Sequence, residues 1–361
     1  MAGLVTMPGG WQGRDVLVTG HTGFKGGWLC LWLHLLGARV HGYALEPPTR
    51  PNLFDAFDLG GLLASDTRAD LADLAALRDC LVRSRASVVF HLAAQSLVRE
   101  SYAAPLPTFA TNVMGTAHLL QAARESATVR AVVVATTDKV YENHETGRAF
   151  REGDALGGND PYSASKAACE IVAASFRASF FGTPGSPCLA TARAGNVIGG
   201  GDWAGDRLVP DCLRAFAAGR PVHLRYPGAV RPWQHVLEPL GGYLRLAGAL
   251  LTEDGPRFAR AWNFGPAAAD DATVHTVAQR LAGLWGGAAA VTVDAAEHPH
   301  EAGLLRLDSG AAARELDWRP RWSLEQALAA TVAWHQAWHA GSDMREVGRA
   351  QLRDYAPAGV P

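Results

Sequence analysis

Short apolar runs and longer helical periods alternate along the first half of the chain. The short runs are rich in β-branched residues and apolar throughout, which is typical of parallel-sheet strands buried on both faces. We predict strands at residues 16–19, 40–44, 64–71, 88–91 and 129–136, with the run at 64–71 the weakest. We predict helices at residues 26–36, 73–85, 108–124 and 162–181. Gly37 lies where the first of these helices should end.

This alternation predicts an α/β fold of the Rossmann type, a doubly wound parallel sheet with helices on both faces. The regularity loosens after residue 187, where glycines and prolines interrupt the pattern. We therefore predict a leader over residues 1–13, a dinucleotide-binding domain over residues 14–194 and a smaller C-terminal, substrate-binding lobe over residues 195–361. Segments in the range 232–265, including the apolar run Trp262–Phe264, are expected to return to the first domain.

Charge and cysteine content narrow the class of protein. The 33 Lys and Arg residues against 35 Asp and Glu give a formal net charge of -2, so no basic excess indicates a nucleic-acid partner. The 5 cysteines are scattered without a Cys-x-x-Cys pair, which argues against a disulfide framework or structural zinc and favours the cytoplasm. Residues 1–14 lack a signal-peptide pattern, and the apolar stretch 28–36 is too short to span a bilayer. We expect no membrane partner.

A glycine motif joins the first predicted strand to the first predicted helix. Its spacing, G-x-x-G-x-x-G, differs from the G-x-G-x-x-G fingerprint of dinucleotide-binding folds. The strand-turn-helix setting nevertheless lets backbone N–H groups face a pyrophosphate, which an ordinary tight turn would not require. The candidate cofactor-binding residues of this motif are Gly20, Thr22, Gly23, Phe24, Lys25 and Gly26.

The adenine end of the cofactor site is predicted at the end of the third strand. Asp70 can accept a hydrogen bond from the adenine amine, and Leu71 can cover the adenine ring. Asp66 is an alternative to Asp70 in this role, and Asp70 could instead be a helix N-cap or a surface residue. Glu46 follows the second strand, where an acidic residue disfavours a ribose 2′-phosphate. We therefore expect NAD as the cofactor instead of NADP.

The candidate catalytic residues come from two segments. Tyr162 and Lys166 have the i, i+4 spacing that places them on one face of a helix, and the ammonium lowers the pKa of the phenol so that it can act as a base. Thr137, Asp138 and Lys139 follow a strand at its carboxyl end, where open α/β sheets bind ligands. Taken separately, an exposed helical pair and a solvated turn would explain these two segments.

Further motifs extend along the chain in a consistent order. They are Gly20–Gly26, His91–Gln95, Asn112–Gly115, Thr137–Lys139, Arg193–Trp203, Arg231–Val236, Trp262–Pro266 and His298–Glu301. Together they resemble the extended short-chain dehydrogenase/reductase family, and within it the CDP-glucose 4,6-dehydratase branch. Asp138–Lys139 discriminates best, because related dTDP-glucose and GDP-mannose dehydratases carry Asp-Glu or a Glu at the second position. Thr137 and Val140 stand where this branch often has Ser and Cys.

The resemblance implies an internal redox cycle on a glucose nucleotide. Hydride leaves C4, water is eliminated across C5 and C6, and the hydride returns to C6 without net NADH. By this resemblance Tyr162 is the base at the C4 hydroxyl, Lys166 binds the nicotinamide ribose, and Thr137 orients O4. Asp138 would protonate the departing C6 hydroxyl, and Lys139 would handle the C5 proton.

The resemblance also implies contacts with cofactor and substrate beyond these residues. The implied cofactor contacts are Leu92, Ala93 and Ala94, and the implied substrate contacts are Gln95, Asn196, Arg207, Arg231 and His235. An Asx-turn remains open for Asn196 and a surface salt bridge for Arg231. His298 and His300 with their neighbouring glutamates are not expected to bind metal, because this family motif has no metal role.

Three other functions remain open. A dehydratase for another nucleotide would use the same residues, whereas a 4-epimerase needs Tyr162 and Lys166 but not the Asp138–Lys139 pair. A non-catalytic NAD-binding sensor would need none of Tyr162, Lys166 and Asp138 for its function. The family expectation is a homodimer, with a homotetramer open, and Ile171 and Phe180 are among the apolar residues that spread over more than one face of their helix.

Overall fold

A computed structural model describes residues 10–183, 185–267, 270–287, 289–293 and 304–356. Its strands are β1 Asp15–Thr19, β2 Arg39–Ala44, β3 Ser65–Arg68, β4 Val88–His91, β5 Ala131–Ala135, β6 Cys188–Ala194, β7 Val197–Ile198, β8 Val222–Leu224, β9 Val230–Arg231, β10 Gln234–His235, β11 Ala261–Phe264, β12 Ala272–Thr273 and β13 Val291–Val293.

The helices differ widely in length. They are α1 Phe24–Leu35, α2 Leu53–Ala56, α3 Leu74–Ser84, α4 Val98–Ala103, α5 Pro105–Phe109, α6 Gly115–Glu125, α7 Pro161–Ser179, α8 Leu208–Ala217, α9 Leu237–Leu250, α10 Gly255–Phe258, α11 Val274–Trp285, α12 Gly310–Glu315, α13 Leu324–His339 and α14 Met344–Tyr355. Two 3₁₀ turns, Leu59–Gly61 and Asp138–Val140, and a π-helical turn, Ala110–Met114, complete them.

A seven-stranded parallel sheet forms the centre, in the order β11-β6-β5-β4-β1-β2-β3. The predicted Rossmann-type α/β fold is confirmed, including all five early strands and the late strand β11. Alternate strand residues enter two cores: Val16 and Val18 pack on the side of α1 and α9, and Leu17 packs on the side of α3 and α6. The strand order reverses between β1 and β4, which is where such sheets bind ligands.

The predicted end of the first helix is confirmed by its hydrogen bonds. Gly37 has φ +80°, and the N–H groups of Gly37 and Ala38 donate to the carbonyls of His34 and Leu33 at 2.9 and 3.0 Å. A side chain is strained at this φ, whereas glycine is not. The helix therefore stops here and delivers the chain into β2.

The predicted regular helix at 108–124 is wrong in its middle. The structure has α5, then the π turn, then α6. The wider turn carries Asn112, whose amide donates to the Gln95 carbonyl at 2.9 Å and to Ser165 Oγ at 2.8 Å, while its oxygen accepts from the Gln95 N–H. These tertiary bonds stabilise a geometry that helical periodicity does not reveal.

Residues beyond β6 pack both on themselves and on the central sheet. Helices α8, α11 and α13 enclose a separate apolar cluster around Phe216, Leu281 and Leu328. Helix α9 contacts β5 and β6, and α14 contacts α1. Trp11, within the predicted leader, is buried with its ring centroid 6.1 Å from that of Phe90, and residues 1–9 lie outside the described part. The division into lobes stays a prediction.

The described residues offer neither a membrane-spanning helix nor a cluster of metal ligands. No helix there combines the length and apolar character that a bilayer crossing requires. No group of three His, Cys, Asp or Glu side chains in those same ranges is placed to hold a metal ion. The motif His298–Glu301, with the neighbouring Glu297, lies outside the described residues.

Candidate active site

A cleft of about 1480 Å³ opens at the carboxyl ends of the central strands. Its wall combines residues of the glycine loop, of the ends of β4 and β5, and of the chain after β6. The sequence-predicted site residues that line it are Gly20, Thr22, Gly23, Phe24, Lys25, Gly26, Asp70, Leu71, Leu92, Ala93, Ala94, Gln95, Thr137, Asp138, Lys139, Tyr162, Asn196, Arg207 and Arg231. Residues predicted from distant motifs thus meet in one cavity.

Two predicted site residues do not line the cleft. Lys166 lies just behind its wall and donates from Nζ to the Ala135 carbonyl at 3.1 Å. His235 is fully buried, with its ring centroid 6.3 Å from that of Trp28 and 4.8 Å from that of Trp322. Burial lowers the pKa of His235 to about 3, so the ring is neutral. His235 packs against these tryptophans and does not line the cleft, so its position does not support a substrate contact.

The glycine loop fits the pyrophosphate of a dinucleotide. A Cβ at Gly20 would lie 2.6 Å from the Ala93 nitrogen, and one at Gly26 would lie 2.1 Å from the Gly20 oxygen, so only glycine permits this packing. Gly23 caps α1 without a side chain, which leaves the first-turn N–H groups without a side-chain acceptor. Such groups, at the positive end of a helix dipole, favour a bound phosphate.

Replacing Gly26 by Ala should open this loop. The added methyl cannot coexist with the Gly20 carbonyl, so we expect the Kd for NAD, measured by calorimetry, to rise at least about 10-fold, which corresponds to about 1.4 kcal/mol. Gly283→Ala in α11 is the matched control, because its Cβ would meet no atom within 4 Å. Equal NAD affinity in the two variants would contradict the assignment of the loop.

The adenine end distinguishes the two candidate carboxylates. Asp66 lies 2.9 Å from His21 Nε2 and accepts two hydrogen bonds from Arg68, at 2.9 and 2.8 Å. Asp70 lines the cleft beside Leu71, and its Oδ1 accepts from the Ala72 N–H at 2.8 Å. The position of Asp70 therefore favours it as the adenine contact, because the oxygens of Asp66 are engaged elsewhere.

Tyr162 and Lys166 occupy successive turns of α7 and both are buried. Burial raises the pKa of Tyr162 to about 12, while a hydrogen bond with Thr137 and the charge of Arg207 oppose the rise. Burial also lowers the pKa of Lys166. The predicted lowering of the phenol pKa by Lys166 is therefore wrong for this structure: the pKa is raised, because burial outweighs the opposing effects, and the cation that opposes the rise is Arg207.

Asp138 and Lys139 form a pair in the 3₁₀ turn beyond β5. Asp138 is completely buried, and its Oδ1 accepts from Thr137 Oγ1 at 3.0 Å and lies 3.5 Å from Lys139 Nζ. Its Oδ2 has no hydrogen-bond partner among the described residues. The Lys139 side chain also reaches Asn196 Oδ1 at 3.5 Å. Of this pair, the Lys139 side chain is 27% exposed, whereas the Asp138 carboxyl is fully buried beside it.

Sequence reasoning missed part of this centre. Lys25, predicted as a loop residue, donates from Nζ to the Tyr243 hydroxyl of α9 at 3.4 Å. Burial, together with the charges of Lys166 and Arg207, lowers the pKa of Lys25 to about 7, against the opposing charge of Asp138. Tyr243 lies in an apolar helix far along the chain, so no local pattern indicated its role.

The outer part of the cleft is crossed by ion pairs. Arg207 donates to Asp202 and to Ser96 Oγ, both at 2.9 Å. Asp206 lies 3.0 Å from Arg225 and 3.5 Å from Arg99. Arg99, Arg207 and Arg225 thus present guanidinium groups at this end of the cleft, and such planar groups can bind a diphosphate through paired hydrogen bonds.

Comparison with known proteins decides the family. A family model described as the NAD dependent epimerase/dehydratase family matches residues 16–255. The chain belongs to this family. The match contains the glycine loop, Thr137–Lys139 and the pair Tyr162 and Lys166, so the family and the cleft rest on the same residues.

Individual members of the NAD dependent epimerase/dehydratase family are similar over nearly the whole chain. The CDP-glucose 4,6-dehydratase of Salmonella typhimurium LT2 is 48% identical, covering 96% of this chain and 98% of that protein. The dTDP-glucose 4,6-dehydratase of Streptomyces antibioticus is 30% identical, covering 93% and 97%. The solved dTDP-glucose 4,6-dehydratase DesIV of Streptomyces venezuelae, with NAD bound, has a TM-score of 0.77 at 26% identity, covering 91% and 99%.

Proposed function

We propose that the protein is a CDP-glucose 4,6-dehydratase, which converts CDP-D-glucose into CDP-4-dehydro-6-deoxy-D-glucose and water. The observation that carries the proposal is the meeting of Asp138–Lys139 with Tyr162 and Thr137 in one cleft. An epimerase needs no such acid–base pair beside its tyrosine. The near full-length similarity to the Salmonella enzyme supports the choice of nucleotide.

The first step is oxidation at C4 of the glucose. NAD supplies a reversible hydride acceptor when bound, and the glycine loop with Asp70 would hold it. Tyr162 takes the proton of the C4 hydroxyl, while Thr137, which is hydrogen-bonded to Tyr162, orients that oxygen. Tyr162 must start this step as phenolate and ends it as neutral phenol. The charge of Arg207 favours the phenolate, and the ammonium of Lys166, one turn along α7, would stabilise it further before the proton is taken.

The second step removes water across C5 and C6. The C4 ketone acidifies the C5 proton, which passes to the neutral amine of Lys139, while Asp138 gives its proton to the departing C6 oxygen. The C5–H and C6–O bonds break, a C5–C6 double bond forms, and the pair is left as ammonium and carboxylate. Return of the hydride to C6, with a proton from the Lys139 ammonium to C5, would then give the 4-dehydro-6-deoxy sugar and leave no net reduced cofactor.

The test is incubation of the protein with NAD and, separately, CDP-glucose, dTDP-glucose and GDP-mannose in D₂O, followed by NMR and mass spectrometry. We expect loss of water from CDP-glucose alone, deuterium at C5 and no accumulation of NADH. Loss of water from another nucleotide would overturn the choice of CDP. Interconversion at C4 without loss of water would identify an epimerase.

We also propose that the protein is a homodimer. Exposed apolar side chains lie on α5, on the π turn and on α7, and these three elements contact one another. They include Leu106, Met114 and Ile171, which are 79%, 52% and 60% exposed. A second copy of the chain would cover this face, because isolated monomers rarely expose such a patch.

Ile171→Asp should weaken this dimer. A charge buried in the contact costs several kcal/mol per dimer, so sedimentation velocity should show a shift from dimer toward monomer. Val82→Asp is the control, because Val82 is 75% exposed and lies on α3, away from the face. Monomeric wild-type protein, or equal sedimentation of both variants as dimers, would overturn the proposed face.

We further infer a reducing compartment, the cytoplasm, for this protein. All 5 cysteines are unpaired, and 4 of them are buried. Thiols in these positions serve as small apolar core residues, and an oxidising compartment would select against them.

A further inference from the structure

A buried ion pair lies beneath the catalytic residues and is not used by the proposed chemistry. Glu170 follows Lys166 by one turn of α7, is 3% exposed and does not line the cleft. Its Oε2 accepts from Arg193 Nη2 of β6 at 2.9 Å. A buried pair of this kind contributes little net stability, because the desolvation of both ions offsets their attraction. Stability alone therefore does not explain why this ion pair lies beneath the catalytic residues.

The partners of this pair lie on both sides of the segment that carries the elimination residues. Thr136, immediately before Thr137, donates from Oγ1 to Glu170 Oε1 at 2.6 Å. Tyr141, immediately after the 3₁₀ turn, accepts from Arg193 Nη1 at 2.8 Å and donates to Asn263 Oδ1 at 2.6 Å. The ion pair thus holds the segment 137–140 at both ends.

The same pair also controls where the oxidation residues sit. Glu170 shares α7 with Tyr162 and Lys166, so the bond to Thr136 fixes the helix against the end of β5. The charge of Glu170 also raises the pKa of Lys166 against the lowering effect of burial. The Tyr162–Lys166 pair on α7 and the segment 137–140 after β5 are therefore both connected to the Glu170–Arg193 ion pair, which we call the anchor.

We propose that Glu170 and Arg193 are positioning residues that set the Asp138–Lys139 pair against the sugar oriented by Tyr162. This inference rests on the proposed dehydratase function. It concerns chiefly the second chemical step: loss of the Thr136 bond displaces the segment 137–140, which carries both elimination groups, whereas Tyr162 and Lys166 stay on α7. C4 oxidation loses only the orienting Thr137, so elimination should slow more than oxidation does. The reduced cofactor should then persist, because elimination no longer follows promptly.

The test compares two threonines that make the same bond to Glu170. Thr136→Val removes the 2.6 Å bond beside the catalytic segment, and Thr191→Val removes a bond of 2.6 Å made from within β6. Both side chains are buried, and the change preserves their shape. Thr136→Ser keeps the hydroxyl and serves as the rescue variant.

We expect Thr136→Val to lower kcat about 10-fold with little change in KM, because small misplacements of reacting groups are costly. It should also show the near-ultraviolet absorbance of bound reduced nicotinamide during turnover. Thr191→Val should lose similar thermal stability without that absorbance, and Thr136→Ser should restore turnover. Glu170→Gln should behave as Thr136→Val but be less stable, because Arg193 loses its counter-charge.

Equal kcat and KM in Thr136→Val and Thr191→Val would overturn the proposal. So would a Thr136→Val variant in which only KM changes, or one in which kcat falls but no reduced cofactor appears. The two valine variants decide the matter even if Glu170→Gln does not fold. The wild-type protein is assayed in parallel. If it forms no dehydrated product, the proposed dehydratase function is wrong; if it does and the variants behave otherwise than expected, only the role of Glu170 and Arg193 is wrong.

Discussion

Tyr162→Phe is expected to lower turnover of CDP-glucose by about 10²–10⁴-fold, the usual contribution of a general base. The phenylalanine keeps the buried ring but cannot take the C4 proton, so hydride transfer does not start. No reduced nicotinamide should appear when substrate is added to the NAD-loaded variant, and rapid-mixing absorbance will show this directly. Substrate affinity should change little, because the arginines of the outer cleft are untouched.

Tyr355→Phe provides the matched control for this experiment. It also removes a buried tyrosine hydroxyl, which donates to Glu238 Oε2 at 2.7 Å, but it lies outside the cleft lining. Its thermal stability should fall, because Glu238 loses a partner, while its turnover stays near that of the wild type. If both tyrosine variants lost activity alike, Tyr162 would be structural and the base would have to be sought elsewhere.

Asp138→Asn is expected to separate the two chemical steps. The amide cannot protonate the C6 oxygen, so elimination should slow by about 10²–10⁴-fold, while oxidation at C4 remains possible. Mixing the variant with substrate should therefore give reduced nicotinamide that decays slowly, together with little dehydrated product by mass spectrometry. The result contrasts with that of Tyr162→Phe, which gives neither.

The control for the amide change is Asp73→Asn. Asp73 caps α3, where its side chain accepts from the Ala76 N–H at 2.9 Å, and asparagine caps helices equally well. Turnover of this variant should match the wild type. Full activity in Asp138→Asn would remove Asp138 from the mechanism and leave the elimination acid unassigned.

Local patterns predicted much of the fold and of the site. The geometry of the glycine loop, and the placement of Tyr162 and Lys166 on one helix face, depend on only a few consecutive residues, because a single turn or helix determines each of them. Strands β1, β2, β4 and β5 were predicted from their apolar runs, and β3 was the weakest prediction because Ser65–Arg68 is polar and partly exposed. Strand β6, Cys188–Ala194, was not predicted, although it is buried in the sheet. These features follow from backbone geometry and burial.

Contacts between distant segments were not predictable in this way. The pairing of Lys25 with Tyr243 depends on how α9 packs on the sheet, and the burial of His235 depends on its contacts with Trp28 and Trp322, which lie far from it in sequence. The π turn at Ala110–Met114 depends on Gln95 and Ser165, which lie elsewhere in the chain. Helix and strand propensity and hydrophobic periodicity report on residues that are close in sequence. Contacts between distant residues are determined by tertiary packing, which these local signals do not describe.

Strand β11 has a consequence for synthesis of the chain. It pairs with β6 and supplies Asn263, which binds Tyr141, yet it lies beyond residue 255, where the family match ends. A nascent chain released at that point would expose the edge of β6, and unpaired strand edges recruit other chains. The nucleotide-binding half should therefore need chaperone protection during translation until β11 has emerged, and a fragment cut at residue 255 should aggregate.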